Sequence, residues 1–240
     1  MNNDFSKSPR LYVSADCAAG SSVTLPAPQA HYLKNVMRAP IGSPVRLFNG
    51  RDGEWHAAIT LLDKKKVVLT LESQIRPQPE PRRPMHLLCA PIKKARMEWL
   101  IEKAVELGAT DLHPVITHHT EVRDINTERT RAQIVEAAEQ CERLDIPALH
   151  DIMPLKAKLA IWPQDIPLLI ALERADAPLL ARAVPETGPL AFLIGPEGGW
   201  SAEEREFPGN LPFLKPVSLG PDILRAETAA LYTLVAAHLL

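Results

Sequence analysis

Two glycine-bearing segments and one charged segment hold the residues best able to do chemistry. The first is Ile194-Gly195-Pro196-Glu197-Gly198-Gly199-Trp200-Ser201, which follows the apolar run Leu190–Ile194. Glycines at such a place let the main chain take positive φ and come close to a ligand. In an open α/β sheet, ligands sit just beyond the carboxyl ends of the strands. The pattern is neither a dinucleotide GxGxxG, because Pro196 and Glu197 break it, nor a P-loop, because no Gly-Lys-Ser/Thr follows. Taken alone, it fits an ordinary strand-to-helix turn equally well.

The second segment is Leu219-Gly220-Pro221-Asp222-Ile223-Leu224-Arg225-Ala226-Glu227-Thr228-Ala229-Ala230. Arg225 and Glu227 stand at the start of an otherwise apolar helix expected over Ile223–Leu240. Such a helix belongs in a core or against another subunit. A charged pair beside it needs a ligand or a mutual ion pair. The third segment, Glu136 to Pro147, ends a long helix expected over Thr127–Leu144. Its charges fit a solvated face, or Arg143 reaches toward the sheet edge beside the glycine loop.

The elements that must position these residues alternate. After residue 84 come strands at Met85–Ala90, Leu112–Ile116, Leu168–Leu172 and Leu190–Ile194, with Val217-Ser218-Leu219 before the last helix. Helices are expected at Ala95–Leu107, stopped by Gly108, and after the capping pair Ser201/Glu204. Alternation of this kind predicts an α/β domain with a mostly parallel sheet. Before residue 75 the reading is mostly strand: Leu11–Val13, Val45–Phe48, Glu54–Leu62 and Val67–Leu71, with one helix over Gln29–Arg38. Between the two, Ile75–Pro84 carries four prolines in ten residues and reads as a linker. The expected organisation is residues 1–74 as a small β-barrel, 75–84 as linker and 85–240 as the α/β domain.

The overall net charge of −2 divides unevenly. Residues 1–83 carry 12 basic and 7 acidic side chains, a net of +5, while residues 84–240 carry 15 and 22, a net of −7. This asymmetry suggests that the first part holds a polyanion, although surface charge also segregates by chance. Cys17, Cys89 and Cys141 are far apart and fit reduced thiols, with no metal-ligand spacing. His118 and His119 read as a polar loop, so no metal is expected. The polar N-terminus and the lack of a long apolar run make a cytoplasmic location the expectation.

Together, the pattern GPEGGWSxxE at Gly195–Glu204 and LGxxILRxETA at Leu219–Ala229 resembles the signature of the 16S ribosomal RNA uridine-N3-methyltransferase family of the SPOUT superfamily. Lys94, Arg96, Glu98, Lys103, Glu106-Leu107-Gly108 and Glu139-Gln140 are similar to the family's upstream pattern. His31-Tyr32-Leu33 and Val36-Met37-Arg38 resemble a helix of its PUA-like barrel. The run Gln140-Cys141-Glu142-Arg143 departs from the family, which often has serine at the cysteine position.

The resemblance implies a trefoil-knotted SPOUT domain after a PUA-like barrel, S-adenosylmethionine as cofactor, a homodimer, and 16S rRNA in the 30S subunit as partner. Cofactor contacts would fall on Leu172, Ile194, Gly195, Pro196, Glu197, Gly199, Leu219, Gly220, Ile223, Leu224 and Thr228. Arg225 is the first candidate for the catalytic cation, Arg143 the second, with Glu227 orienting an arginine or taking a proton. Candidate phosphate contacts are Arg10, Arg38, Arg51 and Lys64-Lys65-Lys66, the lysine run serving equally as a solvated hairpin tip. Rival readings are a SPOUT enzyme for tRNA ribose 2′-oxygen, a non-catalytic ribosome-assembly factor, and a Rossmann-type oxidoreductase, the last disfavoured by the missing GxGxxG.

Overall fold

The computed structural model describes residues 7–63 and 66–239. It divides into two compact units, one comprising residues up to Pro81 together with Ala138–Ile146, the other Arg82–Ala137 and Pro147–Leu240.

The first unit is built on a five-stranded sheet. Its strands are β1 (Arg10–Tyr12), β2 (Ser22–Thr24), β3 (Pro44–Phe48), β4 (Glu54–Leu62) and β5 (Val67–Arg76), in the order β1-β3-β4-β5-β2. Only β1 and β3 run parallel; the other neighbours are antiparallel. Period-two alternation puts Val45, Leu47, Ala57, Ile59, Leu69 and Leu71 in one core, and Leu33 of the helical segment seals it. That segment begins as helix α1 (Ala27–His31) and widens into a π-helical turn over Tyr32–Val36. β5 runs through Arg76, into the stretch expected to be linker, because Arg76 pairs with Glu54 both in strand register and by side chain.

A buried ion cluster organises this unit. Glu54, only 1 % exposed, takes Arg10 Nε at 2.6 Å and Arg76 Nε at 2.7 Å, with Arg46 at 3.7 Å. Arg10 also donates to the Ala138 carbonyl at 2.9 Å and lies 3.8 Å over the Phe48 ring. This corrects the expectation that Arg10 grips phosphate: a guanidinium whose donors are spent on buried internal acceptors is a structural cation.

The second unit carries a seven-stranded sheet whose pairings are all parallel. Its strands are β6 (Met85–Cys89), β7 (Asp111–Ile116), β8 (Ala148–Leu149), β9 (Met153–Pro154), β10 (Leu168–Ala171), β11 (Leu190–Ile194) and β12 (Leu214–Val217). The order is β12-β10-β11-β6-β7-β8, with β9 also pairing to β7. Helices are α2 (Lys94–Glu106), α3 (Thr127–Gln140), α4 (Leu155–Ala160), α5 (Leu180–Ala183), α6 (Ala202–Asn210) and α7 (Ala226–Leu239). The central strands β10 and β11 are apolar throughout because both faces of a parallel sheet are covered.

Two helices are shorter than their sequence patterns. α3 stops at Gln140, and Glu142 takes a left-handed φ of 59°, which turns the chain away from the helix axis. α7 starts at Ala226 and not Ile223, leaving residues 221–225 as a loop. Only one stripe of α7 is buried, including Ala226, Ala230, Thr233 and Leu234, while Tyr232, Val235 and Leu239 are exposed.

Candidate active site

β11, β10 and β12 are parallel neighbours, so their carboxyl ends open on the same edge of the sheet. The three loops that leave them, residues 171–175, 194–200 and 218–226, line one cavity of about 910 Å³. That volume is at the upper end of the usual range for small-molecule sites, about 300–1,000 Å³. Residue spacings of more than twenty positions in sequence thus collapse into one pocket.

The glycine loop has the tightness that a cradle needs. A Cβ on Gly195 would lie 2.9 Å from the indole of Trp200, and one on Gly198 would lie 2.8 Å from Cβ of His119. Gly199 adopts φ +69°, and its amide closes a turn by donating to the Pro196 carbonyl at 3.0 Å. Trp200 is buried and donates from Nε1 to the Ala171 carbonyl at 2.8 Å, tying this loop to the end of β10. Arg205 pairs with Glu173 across the same two loops. Ser218 is held on the third side, donating its amide to Pro178 and accepting from the Leu180 amide, each at 2.9 Å.

Glu204 fixes the rear of the loop. It completes the expected capping box: the Ser201 hydroxyl accepts from the Glu204 amide at 3.2 Å, and Glu204 Oε2 accepts from the Ser201 amide at 2.9 Å. Its other oxygen accepts from the His118 amide at 2.8 Å. His119 Nδ1 lies 3.2 Å from the Gly199 carbonyl. The histidine pair therefore walls the glycine loop.

Behind it lies a smaller cavity of about 200 Å³, lined by Lys93, Arg96, His119, Glu121, Glu197 and Gly198. Arg96 is central: its guanidinium lies 3.6 Å from Glu197 and 3.6 Å from Glu227. Glu227 is 8 % exposed, and its Oε2 has no hydrogen-bond partner among the described residues. A buried carboxylate oxygen without a donor is costly, which singles out Glu227 among the carboxylates around this cavity.

Of the residues singled out in the sequence, the structure gathers Leu172, Ile194, Gly195, Pro196, Glu197, Gly199, Leu219, Gly220, Ile223, Leu224 and Arg225 around the larger cavity. Glu227 and Thr228 are not among its lining residues; Thr228 is exposed on α7. Arg143 is not brought to the cavity either. It belongs to the first unit, is 4 % exposed, and pairs with Asp145 at 2.5 Å. Among the candidate phosphate contacts, Arg38 and Lys66 are exposed, and Arg51 pairs with Asp16 at 2.8 Å. Lys64 and Lys65 lie outside the described residues. The sequence reading passed over Lys93, Glu173 and Arg205. Glu173 and Arg205 stand 32 positions apart, and no local pattern links them.

A glycine-lined pocket beyond the carboxyl ends of parallel strands, in a chain that carries a separate β-rich unit, defines a cofactor-dependent α/β enzyme with an accessory module. Comparison with known proteins narrows that class. Residues 78–238 match the RNA methyltransferase domain family, and residues 25–72 match the RNA methyltransferase PUA domain. A protein from Rickettsia conorii named Ribosomal RNA small subunit methyltransferase E is 32 % identical, covering 96 % of this chain and 95 % of its own. A Synechocystis protein of the same name is 32 % identical over 92 % of this chain and 74 % of its own. The crystal structure of a Ribosomal RNA small subunit methyltransferase E from Neisseria gonorrhoeae bound to S-adenosyl methionine is 28 % identical and superposes with a TM-score of 0.86, covering 97 % of each chain. This chain belongs to the ribosomal RNA small subunit methyltransferase E family of RNA methyltransferases.

Proposed function

We propose that this protein methylates N3 of one uridine in the decoding region of 16S rRNA, using S-adenosylmethionine, and that the assembled 30S subunit is its substrate. The observation that carries the reading is the single cavity joining the Gly195–Trp200 loop to residues 218–226. Its residues suit the cofactor. Close-packed glycines bring the main chain of the 195–199 loop to the cavity wall, and Leu172, Ile194, Leu219, Ile223 and Leu224 supply apolar surface for an adenine ring. When bound, the cofactor supplies an electrophilic methyl group on a sulfonium.

The chain's own residues do the rest. Uridine N3 carries a proton at neutral pH, and losing it puts negative charge on O2 and O4. Arg225, exposed at the mouth of the cavity, is the guanidinium placed to stabilise that charge. Glu227 has a free buried oxygen beside Arg96, which suits it to orient a donor or receive the proton. Lys93 and Arg96 offer cations for the phosphates flanking a base taken out of its stack. In the first unit, Arg38, Arg51 and Lys66 are the candidates for sequence-independent phosphate contact.

We further read the protein as a cytoplasmic homodimer. Exposed apolar side chains on α7 and α2, namely Tyr232, Val235, Leu239 and Trp99, support a self-association surface. No helix among the described residues is long and apolar enough to cross a membrane. We also read the C-terminal chain as threaded through a trefoil knot; the pairing of Ser218 with Pro178 and Leu180, which sets residues 217–218 beside the 172–190 connection, is in keeping with that reading. The deciding experiment follows labelled methyl from the cofactor into naked rRNA and into 30S particles. Wild type is expected to prefer particles, and Arg225→Ala to lose turnover far more than cofactor affinity. Full turnover by that variant would remove Arg225 from its role, and methyl found on ribose would replace N3.

A further inference from the structure

A second group of donor atoms lies at the opposite end of the sheet from the cavity. His86 is the second residue of β6 and pairs in register with Asp111, the first residue of β7. His113 is two positions further along β7 and so shares Asp111's face. His150 follows β8, its amide donating to the Leu112 carbonyl at 2.9 Å, which sets its ring beside His113. None of these four residues lines the cavity described above.

The distances are those of a coordination shell. His86 Nδ1 lies 3.2 Å from His113 Nε2 and 3.5 Å from Asp111 Oδ2, and one donor atom from each of the three falls within 4.8 Å of the others. Four ligands around a tetrahedral zinc at about 2.0–2.1 Å are separated by edges of about 3.3–3.4 Å. Two of these separations match that spacing, and an ion would take the place of the His86–His113 hydrogen bond. His150 Nε2 sits 2.7 Å from Asp111 Oδ1, the arrangement by which an outer imidazole steadies a ligating carboxylate, or from which a fourth ligand swings in. Trp162 holds both rings edge-on, with centroids 5.6 Å from His86 and 5.8 Å from His113, and His113 stacks on His150 at 3.8 Å.

We propose that His86, Asp111 and His113, backed by His150, form a structural site for a divalent transition metal, zinc by preference, that pins β6 to β7. The expectation from sequence was that no metal binds, since these residues come from separate strands and lack any recognised ligand spacing. Without the ion, His86 Nδ1 and His113 Nε2 share a hydrogen bond, so one of the two carries a proton; binding would move that proton to the ring's outer nitrogen, with no net release. The side chain of His150 is 40 % exposed and gives the ion a route from solvent. Two features limit affinity. Lys158, whose ammonium lies 5.6 Å from the Trp162 ring centroid, opposes a cation, and His113 Nδ1 has no hydrogen-bond partner among the described residues.

The test titrates cobalt(II) into the full chain after chelator treatment, following visible absorption, with zinc as competitor. The proposal expects one equivalent, the strong bands of tetrahedral cobalt, and displacement by zinc. His86→Asn and Asp111→Asn should each weaken binding by at least about tenfold, the scale by which even outer-shell partners matter. Lys158→Met should tighten it. Unchanged urea midpoints of the metal-free variants would show that they fold. Absence of saturable cobalt binding, or binding equally tight in wild type and both ligand variants, would overturn the site; the latter would send the ion elsewhere, for instance to His118 and His119.

Discussion

Replacing Gly195 by alanine tests the link between loop packing and the cofactor pocket. The added Cβ would sit 2.9 Å and 3.0 Å from two atoms of the Trp200 indole, where carbon atoms prefer about 3.5–4.0 Å. The indole must retreat by roughly 0.5–1 Å to restore that spacing. Its Nε1 hydrogen bond to the Ala171 carbonyl, now 2.8 Å, would then stretch out of range. Overpacking costs about 1–3 kcal/mol and the lost hydrogen bond about 1 kcal/mol, so a destabilisation of about 2–4 kcal/mol is expected. For a chain of this size that lowers Tm by about 5–15 °C. Gly195, Trp200 and Ala171 all line the cavity, so the displaced loop should also bind S-adenosylmethionine less well. If even about 1.4 kcal/mol of the strain is relieved only in the unbound loop, affinity falls tenfold. Calorimetric titration and a thermal melt measure both. Gly209→Ala is the control: nothing lies within 4 Å of its added Cβ in α6, and alanine should stabilise that helix by up to about 1 kcal/mol. A Gly195→Ala protein with wild-type Tm and unaltered cofactor affinity would refute the packing account.

Two further outcomes follow from the buried groups. Glu54→Gln leaves Arg10, Arg76 and Arg46 facing a neutral amide in a buried setting, and urea unfolding should show a loss of about 3–5 kcal/mol; a change below about 1 kcal/mol would mean the cluster is not a stability element. Burial, with Asp52 adding, pushes the Cys17 thiol up to about 11, and burial pushes Cys89 up to about 12. Both stay protonated at pH 8, so maleimide labelling of the folded protein should reach the half-buried Cys141 first and the other two only in urea. Labelling of Cys89 as fast as Cys141 at pH 8 would contradict that.

The sequence by itself determined the strands and helices wherever a period was clean. β4 and β11 fall on the residues their patterns marked, and the Ser201/Glu204 box opens α6 as written. These are local properties, fixed by side-chain alternation and by a cap that needs only a neighbour three positions on. The glycine loop and the Leu219–Arg225 segment stood out by residue type, although the glycines alone fitted an ordinary turn equally well; that both line one cavity was decided by the fold. What lay beyond reach was whatever depends on partners distant in the chain. Arg10 and Arg143 look like free cations in sequence, yet in the fold Arg10 Nη2 donates to the Arg143 carbonyl and both side chains are buried. The helix through Arg143 ended early because Glu142 left the helical region, and the short elements β2, β8, β9, α4 and α5 carried too little pattern to stand alone. His86, Asp111 and His113 meet only because parallel register sets β6 beside β7. Local chemistry is written in adjacent residues; burial, pairing and convergence belong to the register of the sheet, which only the folded chain decides.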